Sequence, residues 1–81
     1  MRFEAVVEVR LRPGIADPQG ATIERALPAL GFQGVTDVRV GKAIRFALEA
    51  PDEDAARALS AAVTDRLLAN PVIEEAEVRV L

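Results

Sequence analysis

Two stretches of alternating apolar and polar residues, one near each end, constrain this chain more than anything between them. At the start, Phe3, Ala5, Val7, Val9 and Leu11 point one way, while Arg2, Glu4, Val6, Glu8, Arg10 and Arg12 point the other. That period of two marks a half-buried strand. Pro13-Gly14 ends it, because proline cannot donate to a ladder and glycine opens a turn. Near the end, Ala76, Val78 and Val80 alternate with Glu75, Glu77 and Arg79, which predicts a strand over residues 72–81.

Two helices fit between these strands. Asp17-Pro18 reads as an N-cap followed by proline at the first helical position, where its missing N–H costs nothing. Ile23, Ala26, Leu27 and Leu30 share one helical face, and Gly31 stands where a left-handed cap belongs. Pro28 cannot donate to the Glu24 carbonyl, so a kink or an early loosening is expected there. Asp52 caps the second helix, with Glu53 and Asp54 in its first turn, where the dipole favours negative charge. Its expected buried stripe is Ala55, Leu59, Ala62, Val63 and Leu67, and Asn70-Pro71 stops it.

Residues 35–40 and 44–50 read as two further strands around Gly41-Lys42. Setting Val40 opposite Ile44 and Val38 opposite Phe46 keeps one face apolar. That register calls for a three-residue loop, Gly41-Lys42-Ala43, or a bulge, with the turn type open. The order β-α-β-β-α-β predicts an α+β fold: one ferredoxin-like domain over residues 1–81, an antiparallel sheet with two helices on one face. Its edges would be the second and fourth strands, residues 35–40 and 72–81, whose unpaired backbone could recruit another chain. A homodimer or homotetramer is therefore expected.

Composition removes most catalytic chemistry. The 81 residues include no cysteine and no histidine, and Ser60 is the one serine, so neither a Ser-His-Asp nor a Cys-His arrangement can be built. No metal site and no bound cofactor are expected. A net charge of −3 with interspersed signs argues against a nucleic-acid surface. The aromatics are three phenylalanines, and Phe3 and Phe46 are needed inside, so no base-stacking platform is left. Nothing approaches a membrane-spanning apolar run, and the opening residues lack a signal peptide's apolar core, which predicts a cytoplasmic protein.

The remaining candidates have structural readings of their own. Asp17-Pro18-Gln19-Gly20 could turn backbone N–H groups toward an anion, but it lacks the spacing of a phosphate-binding fingerprint and reads as a helix start. Gly41 and Lys42 read as a hairpin tip, and Asn70 and Pro71 as a helix stop. Glu74, Glu75 and Glu77 belong to the solvated side of a strand.

Taken together, Asp17-Pro18-Gln19-Gly20, Val40-Gly41-Lys42 and Leu67-Leu68-Ala69-Asn70-Pro71-Val72-Ile73-Glu74 resemble the PurS family. The Pro-Gly turn before the first stretch and Ala29-Leu30-Gly31-Phe32 after the helix fit the same frame, while Pro28 departs from it. The resemblance implies the small third subunit of phosphoribosylformylglycinamidine synthase in de novo purine biosynthesis. It implies a non-catalytic role, in which a glutaminase subunit and a large synthetase subunit are partners that need this chain to associate and to pass ammonia. ATP and Mg²⁺ would then be bound by the synthetase. Asp17, Pro18, Gln19, Gly20, Gly41, Lys42, Asn70 and Pro71 are the candidate partner-contact or structural residues. The competing expectation is a small-molecule-binding regulatory module on the same fold, which would need a pocket with convergent polar groups.

Overall fold

The first alternating stretch becomes strand β1, Arg2–Leu11, and it is the centre of a three-stranded antiparallel sheet. The computed structural model describes residues 1–81. Helix α1 (Pro18–Ala26), strand β2 (Gly41–Glu49), helix α2 (Glu53–Val63) and strand β3 (Glu74–Val80) follow in chain order. The strands lie in the order β2-β1-β3. An α+β architecture of antiparallel strands and two helices is what the alternation and capping signals predict.

Register follows the apolar set. Phe3, Ala5 and Val7 stand opposite Leu48, Phe46 and Ile44 of β2, and Ala5, Val7 and Val9 stand opposite Val80, Val78 and Ala76 of β3. One face of all three strands is therefore apolar, and Ala5, Val7 and Val9 at its centre are buried.

Residues 35–40 form no strand, contrary to expectation. Their alternation suggests a ladder, but the Val38 and Val40 N–H groups donate to the side chains of Glu24 in α1 and Asp17 at its N-cap. The hairpin around Gly41-Lys42 is absent as well: both residues already belong to β2, with Lys42 opposite Val9 and Gly41 opposite Arg10. A Cβ at Gly41 would stand 2.8 Å from the Val9 carbonyl oxygen, so glycine here permits close approach of two backbones rather than a turn. The edges of the sheet are consequently β2 and β3.

The second helix packs against β1 and β3, but through a different stripe from the one its leucines suggest. Ala56, Ser60 and Thr64 are buried, whereas Leu59 and Leu67 are 46% and 79% exposed. Small residues four apart let the helix sit close to the sheet. Their hydroxyls bond back within the helix: Ser60 Oγ donates to the Ala56 carbonyl and Thr64 Oγ1 to the Ser60 carbonyl, each at 2.8 Å. Burial therefore leaves no polar atom unpartnered. Asp52 caps this helix as expected, accepting from the Ala55 N–H at 2.8 Å. A π-helical turn, Thr64–Leu68, ends it before Asn70-Pro71.

Helix α1 is less deeply buried than α2. Gly20 is its one buried residue, and Ile23 and Leu30 of the expected apolar face are exposed. At Pro28 the helix gives way to a 3-10 turn, Pro28–Leu30, closed by Gly31 in the left-handed region. The molecule is drawn out to 52 × 26 × 15 Å, with a radius of gyration of 16.4 Å. A compact chain of this length would measure about 12 Å.

Candidate functional site

The candidate residues are scattered in sequence, yet most of them meet at one end of the sheet. There β1 leaves the sheet while β2 and β3 enter it. Asp17, Pro18, Gln19, Gly41 and Lys42 line a single groove of about 400 Å³, joined by Arg10 and Glu74. Gly20 lies behind it, packed against the chain at Val38.

Asp17 organises this groove. One carboxylate oxygen accepts the Gly20 N–H at 2.9 Å and caps α1. The other accepts the Val40 N–H at 2.8 Å, just ahead of β2. Arg39 stands 3.8 Å from the same oxygen and donates to the Ile15 carbonyl at 3.3 Å. The Asp17 side chain is only 7% exposed. The Gly20 and Val40 N–H groups, in that order, hold its carboxyl below the ordinary value of 3.8, with Arg39 assisting against partial desolvation. Both oxygens are occupied by backbone donors, so this carboxylate is a structural acceptor and not a proton carrier.

A pH dependence follows. A depressed folded-state value means that the Asp17 contribution to stability is complete above the unfolded value and is lost as the pH falls through the folded one. Asp17→Asn is expected to lower the urea midpoint well above pH 3.8, with the difference from the parent shrinking as acid protonates Asp17. Denaturation curves taken across that range check this; a gap that widens in acid contradicts it.

Neither Asn70 nor Pro71 lines this groove; Pro71 borders an adjoining cavity of about 320 Å³ with Arg12 and Glu74, and Asn70 stands beside it in the chain. The Asn70 side-chain oxygen accepts the Val72 N–H at 3.1 Å, and the Asn70 N–H donates to Glu74 at 2.7 Å. Arg12 places two donors on the Pro71 carbonyl, at 3.1 and 3.0 Å. Glu74 lines both cavities and so connects the two groups of candidates. Glu75 and Glu77 lie beside Arg10 on the open face, at 3.3 and 3.9 Å.

Glu24, which no motif singles out, belongs with these residues, because its carboxylate accepts the Val38 N–H at 3.0 Å. Its spacing was the available signal: Asp17, Gly20 and Glu24 recur at i, i+3 and i+7, which is one helical face. The alternation marks Arg12 only as a polar position at the end of the first strand, and nothing in its sequence neighbours points to Pro71.

The family model for PurS, described as phosphoribosylformylglycinamidine (FGAM) synthase, matches residues 4–81. The chain belongs to the PurS family. The PurS subunit of phosphoribosylformylglycinamidine synthase from Synechocystis is 47% identical over 72 residues, covering 89% of this chain and 72% of that protein. Among solved structures, a chain in the PurLQS structure from Thermotoga maritima superposes with a TM-score of 0.92 at 37% identity, covering 100% of this chain and 99% of its own. Methanocaldococcus jannaschii PurS, described as one of the subunits of formylglycinamide ribonucleotide amidotransferase in the purine biosynthetic pathway, superposes with a TM-score of 0.86. Its identity is 35%, over 98% of this chain and 95% of the other. The PurS stretches quoted from the sequence thus supply every residue that lines the groove at the sheet end, apart from those of β1.

Proposed function

We propose that this chain is the small PurS subunit of phosphoribosylformylglycinamidine synthase. It brings the glutaminase and synthetase subunits together and supports transfer of ammonia between them. The observation that carries this reading is the full-length likeness, in sequence and fold, to a chain of the PurLQS structure. The chemistry of the chain agrees, since the best-organised carboxylate has both oxygens tied to backbone donors. In this reading ATP and Mg²⁺ belong to the synthetase, the complex works in the cytoplasm, and this chain acts as a homo-oligomer. No helix is long and apolar enough to cross a membrane.

Omission tests the proposal. Glutamine-dependent amidine formation by the matching glutaminase and synthetase is expected to fall to background without this chain and to return when it is added. Ammonia in place of glutamine should sustain the synthetase in either case. Equal use of glutamine without the chain would refute the assembly role.

The groove is the proposed contact surface within that assembly. Lys42 is exposed and bonds to no other side chain, so Lys42→Glu is expected to leave the fold intact. The same change should raise the concentration of this chain needed for half-maximal glutamine-dependent activity, as reversed charge at a contact weakens association. Unchanged titration curves would remove Lys42 from the contact.

A further inference from the structure

Residues 35–40 have the look of a strand without a neighbouring strand, and what holds them is a helix. Asp17 accepts the Val40 N–H and Glu24 accepts the Val38 N–H. Between these two carboxylates lies Gly20, whose missing side chain makes room for the Val38 carbonyl: a Cβ there would come within 2.3 Å of that oxygen. Donors on residues 38 and 40 leave the same side of an extended chain, because successive residues alternate. Asp17, Gly20 and Glu24 lie on one face of α1 by their spacing. The two side chains reach inward from either side of Gly20, so that one carboxylate meets each of two alternate N–H groups. Just upstream, Asp37 takes a positive φ of 58°, which turns the chain into this path.

We propose that Asp17, Gly20 and Glu24 form a docking rail on α1 that holds residues 38–40 extended in place of a β-ladder and so positions the start of β2 in the groove. Asp17 and Glu24 are positioning residues, acting through the backbone they hold. Val40 is held immediately before Gly41, so the rail fixes where Gly41 and Lys42 enter the sheet against Arg10 and Val9. The rail is a property of the isolated chain and stands whether or not the assembly reading does.

Residue-resolved amide exchange of the full chain, followed by NMR, tests it. In the parent protein the Val38 and Val40 amides are expected to be protected although no strand pairs with them. Asp17→Asn keeps a carbonyl to cap Gly20 but turns an NH₂ group toward Val40, so Val40 exchange should quicken about tenfold or more. Glu24→Ala should do the same at Val38, and Glu24→Gln should largely restore protection, since its amide oxygen still accepts. The Val7 and Val9 amides should stay slow throughout. Unprotected Val38 and Val40 amides in the parent overturn the rail, as do variants that leave them at the parental rate. Acceleration shared equally by Val7 and Val9 also overturns it, because the effect would then be global unfolding.

Discussion

Replacing Gly20 by valine is expected to cost the chain about 2–3 kcal/mol, the upper part of the range for forcing atoms into a filled site. For a domain of this size each kcal/mol lowers the melting temperature by roughly 4–8 °C. Helix propensity alone predicts no such loss, because glycine is a poorer helix former than valine. The steric term wins because the first added carbon would meet the Val38 carbonyl at 2.3 Å and Asp17 Oδ2 at 2.8 Å. A backbone carbonyl cannot rotate away as a flexible side chain can. Residues 38–40 would have to lift, and the bonds from Val38 and Val40 would lengthen with them. Ala21→Val is the matched control, since Ala21 is exposed on the same helix. It should lose only about 0.5 kcal/mol, the propensity difference. Thermal melts of the two variants decide the matter: equal stability would mean that α1 and residues 38–40 do not approach as closely as the structure shows.

That close approach also explains where sequence reasoning went astray. Strands β1 and β3 were legible because their alternation is matched by a partner on the same sheet, and each inward residue meets another across the ladder. The caps at Asp17 and Asp52 were legible because capping is local chemistry, decided within three residues. The break at Pro28 was legible for the same reason. Residues 35–40 carry an equally good strand pattern, but alternation reports only that one side of a chain differs from the other. It does not report whether the hydrogen-bond partner is a strand or a row of carboxylates on a helix.

The stripe on α2 failed for a related reason. Ranking residues by hydrophobicity puts Leu59 and Leu67 inside and Ser60 and Thr64 outside. The structure reverses this, since a hydroxyl bonded to the carbonyl four residues back no longer needs water. Small side chains then win the place nearest the sheet by size. The candidate site was legible through the quoted motif stretches, but Glu24 needed the helical face of Asp17 and Gly20 to be read as a surface in its own right.

The displaced leucines lead to the second large effect, which concerns the isolated chain in solution. It is expected to sediment at twice its monomer mass of 8.7 kDa or more at micromolar concentration. The argument is one of area. The chain exposes 5741 Å², about 1,000 Å² more than the roughly 4,700 Å² of a compact monomer of this mass. A standard stable interface covers about 800 Å² on each partner, so one such interface per chain would absorb most of the excess. The exposed surface is also of the right kind: Leu30, Leu67 and Val72 are 69%, 79% and 79% exposed, and Phe32 is exposed with them. Half-burial of Ile44, Phe46 and Leu48 on the inner face of β2 adds to this, as neither helix packs closely over that strand. Only 9 of 81 residues are buried, a small core for an elongated chain. Association is therefore expected to contribute to folding itself, and the melting temperature to rise with protein concentration by mass action. Sedimentation equilibrium and melts over a hundredfold dilution series measure both quantities. A monomer at every concentration, with a cooperative melt that does not move, would show that the chain is stable with this apolar surface in water.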